Sequence, residues 1–308
     1  MILLKPYSKS FENEYWNTVY KKIDTVTQTK IINSCKKFLP PDFFIGNESD
    51  YFKSLILAPY KKIKVAEEYI SMNTIDIMEK ECFCKSRRGK AVKRKKYKEI
   101  YDAFEMVVSS KKQDRTMRVR IVENANLTVC PYCNRDYINC RATDVSGAQL
   151  DHFYSRSEYP LFAVCLYNLV PVCSNCNRVK SNRKLKFVSP FDNSIDWQKD
   201  ISFTYTGKKL DDIKIVIEGK GNLENNITGM RIDEAYQIHG NEILDLIERQ
   251  QIYNESQKQE IKEVLSKAAL TDLDIKRIIF GPQITQESMR NKPLGKMLSD
   301  LHKELKIY

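Results

Sequence analysis

The chain has 308 residues, room for one large domain or two to three small ones. Its composition, 42% hydrophobic and 30% charged, is that of a soluble globular protein and excludes a disordered or fibrous chain. The net charge of +11 is uneven: residues 1–116 carry +9, residues 117–190 carry +5 and residues 191–308 carry −3, a balance that suits a polyanionic partner as well as simple solubility.

Along residues 1–116 the pattern is helical and basic. Phe11, Tyr15, Trp16, Val19 and Ile23 form a helical stripe, Pro40-Pro41 is a break, and residues 51–72 and 97–108 return to helical spacing. No alternation argues for strands there. Between these helices, residues 85–98 hold nine basic residues and no acidic one. Such a run is usually a solvated loop, and it also suits non-specific phosphate contact, with Lys93, Arg94, Lys95 and Lys96 at its centre.

Residues 117–190 contain the informative cysteines. The chain has nine, an odd number in a chain too long to need stapling, so a disulfide framework is not expected. Cys130-Pro-Tyr-Cys133 and Cys173-Ser-Asn-Cys176 each aim two thiolates at one point, and together they make a closed tetrahedral site for structural zinc. The 39 residues between the pairs exceed usual zinc-ribbon spacing, so zinc should clamp something folded between them. Cys140 and Cys165 read as small core residues; Cys82 and Cys84 stay unassigned.

Within the clamp stand Gln149-Leu-Asp151-His152-Phe-Tyr and, later, Leu166-Tyr-Asn168-Leu-Val-Pro-Val-Cys173, followed by Asn177-Arg178-Val-Lys180. Phosphodiester hydrolysis needs a base, which neutral His supplies near pH 7, and a divalent cation, which Asp and Asn oxygens suit as Mg²⁺ or Mn²⁺. Adjacent Asp151 and His152 would point to opposite faces of a strand, so a twist is expected there to bring both to one phosphate.

Beyond this, residues 201–206 and 213–217 alternate as strands, and helical spacing resumes near residue 225. Leu294, Leu298, Leu301 and Leu305 share a face of a last helix, with Pro293 in its first turn, and should pack on the chain's own core. The longest apolar stretch, Phe162 to Cys173, contains Asn168 and Pro171, and the N-terminus lacks a signal-peptide core; a cytoplasmic protein without membrane contact is expected.

The series Cys-x-x-Cys, Asp-His, Asn-Leu-x-x-x-Cys-x-x-Cys-Asn-x-x-Lys resembles the zinc-bearing branch of the HNH, or ββα-metal, endonucleases, over about 50 residues. That resemblance implies His152 as general base and Asn168 as brace of its loop. It implies Asp151 and Asn177 as ligands of a catalytic Mg²⁺ or Mn²⁺, Asn177 standing where the third His is usual. Lys180 and Arg178 would touch phosphate. The flanking residues, among them Leu150-Asp-His-Phe-Tyr-Ser-Arg-Ser-Glu-Tyr-Pro160, look like the HNH subunits of bacterial anti-phage systems of the Septu type, also found as retron effectors. That likeness implies an ABC/SMC-like ATPase partner. The expected fold is α+β: a basic helical region (1–116), a zinc-clamped ββα core (117–190) and an α+β C-terminal region (191–308). The expected target is DNA; RNA such as tRNA, or a non-catalytic zinc adaptor, are the alternatives.

Overall fold

The computed structural model describes residues 1–74, 98–181, 183–209, 211–264 and 270–308. The run containing Lys93, Arg94, Lys95 and Lys96 lies outside them, as do Cys82 and Cys84. Helices dominate the described residues, with three small two-stranded antiparallel sheets, which makes the chain α+β.

The N-terminal stretch opens with α1 (Lys9–Lys22) and α2 (Thr25–Phe38), capped by Ser8 and Asp24, whose side chains accept from Phe11 and Thr27 amides. The stripe seen in sequence is the buried face of α1: Phe11, Tyr15 and Val19 are buried and Ile23 follows at the C-cap. The spacing over 51–72 resolves into two helices, α3 (Tyr51–Ile56) and α4 (Tyr60–Asn73). Pro59 divides them, because it has no amide to donate and sits extended at the N-cap of α4. After α5 (Lys98–Val108), a hairpin that the sequence did not suggest joins β1 (Lys111–Lys112) to β2 (Arg115–Thr116). Gln113 and Asp114 both have positive φ at its turn, as a tight two-residue loop requires. Helix α6 (Met117–Asn124) follows directly, capped by Thr116.

A ββα unit comes next. Strand β3 (Gln149–His152) pairs antiparallel with β4 (Leu169–Val172), Asp151 opposite Val170 and His152 opposite Leu169. Pro171 is tolerated because each strand of this sheet has only one neighbour. Helix α7 (Ser174–Lys180) begins two residues after β4. The chain reaches β3 through Gly147, where a Cβ would stand 2.0 Å from the Asn139 carbonyl oxygen. Gly147→Ala is therefore expected to force these backbones apart and to lower stability by about 1–3 kcal/mol, read from the thermal midpoint.

The C-terminal stretch holds a hairpin of β5 (Ile201–Thr206) and β6 (Lys214–Gly219), close to the alternating segments of the sequence, then helices from α8 (Leu223–Gly229) onward. The last, α14 (Gly295–Glu304), starts after Leu294, which holds a left-handed φ of 57° at the N-cap. Pro293 thus precedes the helix rather than opening it. Leu294, Met297 and Leu301 are buried, with Leu298 and Leu305 packed against the same core, so the stripe serves the chain's own interior. One hydrophobic cluster runs from Met1 to Ile307. Buried Arg290 ties it together, donating to the carbonyls of Leu3, Ala125 and Asn126. Among the described residues no helix is long and apolar enough to cross a membrane.

Candidate metal centre and active site

The sulfurs of Cys130, Cys133, Cys173 and Cys176 all lie within 4.8 Å of one another and are buried. Tetrahedral zinc with thiolates at about 2.3 Å needs sulfurs about 3.8 Å apart, so this cluster could hold such an ion with little adjustment. The local chain explains the convergence. Cys130 and Cys133 sit on a turn closed by the Asn134 amide donating to the Cys130 carbonyl at 2.8 Å, with Asn134 in the left-handed region. Cys173 caps α7, and its sulfur accepts from the Cys176 amide at 3.4 Å. The thiols contend for the same protons. Burial pushes Cys130 up, while hydrogen bonds from Cys130, Cys173 and Cys176 hold Cys133 well below the ordinary thiol range. A cation at the centre relieves that competition by replacing protons. Cys140 and Cys165 stand outside the cluster, Cys140 half-buried and Cys165 buried with its thiol toward the Leu55 carbonyl.

The knuckle is anchored from outside as well. Tyr236 donates to the Cys133 carbonyl at 2.6 Å. Asn134 donates to the Met289 carbonyl and accepts from the Lys296 amide, which fixes the turn against the start of α14.

Sixteen residues separate β3 from β4, and Asn168 organises them. It is 1% exposed. Its side-chain oxygen accepts from the Tyr154 amide at 2.8 Å, and its amide group donates to the carbonyls of Tyr154 and Phe162. The Asn168 carbonyl also accepts from the Phe153 amide. Asn168 thus ties the start of this loop to its end.

That loop delivers the Ala163 carbonyl to His152, 2.9 Å from Nε2. A carbonyl only accepts, so in the neutral ring Nε2 carries the hydrogen and Nδ1 the lone pair. Burial drives the imidazole pKa down to about 4, against the opposing pull of the Ala163 hydrogen bond. Phe104 of α5 meets the ring edge-on at 4.5 Å between centroids. The ring is thus fixed in place, neutral at pH 7, with a defined tautomer.

Asp151 lies on the opposite face of β3, since the strand stays regular through His152 and the expected twist does not occur. Its carboxylate is buried toward α7. Tyr132, inside the first cysteine pair, donates to Oδ2 at 2.6 Å, and the Lys180 ammonium lies 2.9 Å from the same oxygen and 3.3 Å from Oδ1. Lys180 also donates to the Phe153 carbonyl and is 3% exposed. It is therefore a buried counter-ion, not the surface phosphate contact expected of it. Its position three residues after Asn177 on α7 aims both side chains at β3. Arg178 is exposed on α7.

Asn177 is half-buried and donates to Gln149 at 2.7 Å, on the side of β3 that also presents Asp151. A carboxylate and an amide oxygen are ligands of the kind Mg²⁺ or Mn²⁺ takes. In ligand type the pair fits; an ion binding there must displace the Lys180 ammonium from Asp151.

Tyr132 and the Ala163 carbonyl were not singled out from sequence. Tyr132 could have been, because its place between two clustered cysteines fixes its direction; a backbone carbonyl leaves no residue-type signal. The chain matches no protein-family model, no curated protein and no solved structure.

Proposed function

We propose that the chain is an endonuclease of the zinc-clamped HNH type. The observation that carries this reading is His152: a half-buried, neutral imidazole whose one nitrogen is committed to a carbonyl by an Asn168-braced loop. A purely structural zinc module has no use for such a device. The ring offers the Nδ1 lone pair to a water proton, and its orientation is held without cost at the moment of reaction. Asp151 and Asn177 would hold Mg²⁺ or Mn²⁺, supplying charge neutralisation at the phosphate, once the ion displaces Lys180 from Asp151 and β3 twists to bring Asp151 and His152 to one side. The substrate in this reading is DNA, and a partner ATPase of the ABC/SMC type, taken from the sequence resemblance alone, would govern cutting in phage defence.

The test is plasmid DNA and tRNA offered in parallel to the purified chain, alone and with the ATPase, in Mg²⁺ or Mn²⁺. Cutting of plasmid supports the reading; cutting of tRNA alone moves the target to RNA; silence in every arm supports a non-catalytic adaptor. The two metals should also separate. Brief EDTA is expected to abolish cutting, and Mg²⁺ to restore it, while zinc content by elemental analysis stays near one per chain. Thiolates close the zinc site, whereas the oxygen site is open and held by few ligands. Cutting that survives EDTA would exclude the second metal.

A further inference from the structure

A cleft of about 600 Å³ opens directly beyond His152 in the chain, with Phe153, Tyr154 and Ser155 in its lining. That volume is in the range of small-molecule sites, about 300–1,000 Å³, and suits one nucleotide.

One wall is α4. Tyr60, Lys64, Glu67, Glu68 and Ser71 recur at helical spacing along the cleft side, while Ile63, Ala66 and Ile70 turn inward to the core. The floor is aromatic: Tyr154 lies parallel to Tyr60 and edge-on to Tyr159. The opposite wall is residues 183–187, just past α7, with Arg183, Lys184 and Lys186 exposed and Phe187 half-buried. This segment is held in place from α8: Asn225 donates to the Lys186 carbonyl, and Asn226 bonds both the amide and the carbonyl of Val188.

The charges of the two walls differ in kind. Lys64 and Lys180 are spent on Asp192 and Asp151. Arg183, Lys184 and Lys186 form no ion pair among the described residues and are free for an anion. Facing them, Glu67 is pre-oriented. Tyr159 and Ser71 both donate to its Oε1, at 2.7 Å each. Its Oε2 has no hydrogen bond among the described residues and can accept one.

We infer that this cleft seats one unpaired nucleotide of the substrate strand, with its phosphate on Arg183, Lys184 and Lys186, its base on the Tyr154–Tyr159 rings and an amino group of the base on Glu67. The inference rests on the nuclease reading for its substrate, but its chemistry is separate. Stacking on rings is sequence-tolerant. A carboxylate acceptor is not: it favours cytosine, whose N4 amino group donates, over thymine or uracil, whose O4 at the same place accepts. The same parts would take DNA or RNA.

Binding of labelled fifteen-nucleotide dC, dT, rC and rU strands to the His152→Ala chain, followed by fluorescence anisotropy, tests this without cleavage. The cytosine strand of each pair is expected to bind about tenfold tighter, and the tighter of dC and rC names the polymer. Glu67→Gln should bring the cytosine preference down to about twofold or less. Replacing Arg183, Lys184 and Lys186 by Gln should weaken every strand about tenfold or more. It should also lower the salt slope by about 0.7, the contribution of the one phosphate lost. These three side chains are exposed, so the thermal midpoint should hold. Equal binding of all four strands, or unchanged affinity and slope in the triple variant, would overturn the cleft even if plasmid is cut. If no nucleic acid is cut but these losses appear, the cleft stands and the nuclease reading falls.

Discussion

Cys173→Ser will strip the metal from the chain and with it the fold of the ββα unit. Four sulfurs meet within 4.8 Å and join the 130–133 turn directly to the start of α7. Structural zinc in such sites contributes about 10–16 kcal/mol to folding, which equals or exceeds the net stability of about 5–15 kcal/mol of ordinary domains. Cys173 is the most exposed to this loss in its consequences. It follows β4, caps α7, and accepts from the Cys176 amide, so its replacement removes one of the four clustered sulfurs and disturbs a helix start together. The wild-type chain should purify with one zinc, the variant with none, and the variant should lose its cooperative thermal transition. Cys140→Ser is the control: that thiol is half-buried and outside the cluster, so zinc and midpoint should stay near wild type. A zinc-free wild type, or a Cys173→Ser chain that melts like the Cys140→Ser control, would remove the metal centre.

How much of this was legible in sequence depends on where the information is stored. The cysteine frame was, because Cys-x-x-Cys spacing is itself geometry and needs no tertiary context. The brace at Asn168 and the neutral imidazole at His152 followed from chemistry plus the motif. The relation of Asp151 to His152 did not. Neighbouring residues on a strand alternate, and only the register with β4 reveals that the strand runs straight through both. Lys180 was misread for a related reason. A lysine after a zinc knuckle is usually a surface cation, and its burial comes from a seven-residue helix lying on β3 so closely that its Nζ reaches Asp151. The break at Pro59 was legible and overlooked within a strong apolar period. The hairpin at residues 111–116 was not, since Lys-Lys-Gln-Asp-Arg-Thr has no strand propensity and forms between two helices that tether its ends.

His152→Ala should abolish cutting while leaving zinc and fold in place. In the proposed reading the ring supplies base catalysis, worth about 10²–10⁴-fold, and the half-buried ring makes one hydrogen bond, to the carbonyl of buried Ala163. Because the ring is half-buried, its loss opens the space through which water can reach the Ala163 carbonyl, and Ala keeps β3 paired, so the thermal midpoint should fall by only a few degrees and the zinc content not at all. Activity at saturating substrate should drop by at least a hundredfold. The pH profile distinguishes a base from a merely structural ring. Burial lowers the imidazole pKa from 6.5 to about 4, so the lone pair survives as pH falls and is lost only on approach to that value. The acid limb of kcat/KM should therefore lie between about 4 and 6.5, below that of a solvated histidine. In the His152→Ala chain, the residual rate should not show this limb. A well-folded variant that cuts at near wild-type rate would dismiss His152 as the base, and an acid limb at or above 6.5 would mean that the ring is solvated rather than held against Phe104 and the Ala163 carbonyl.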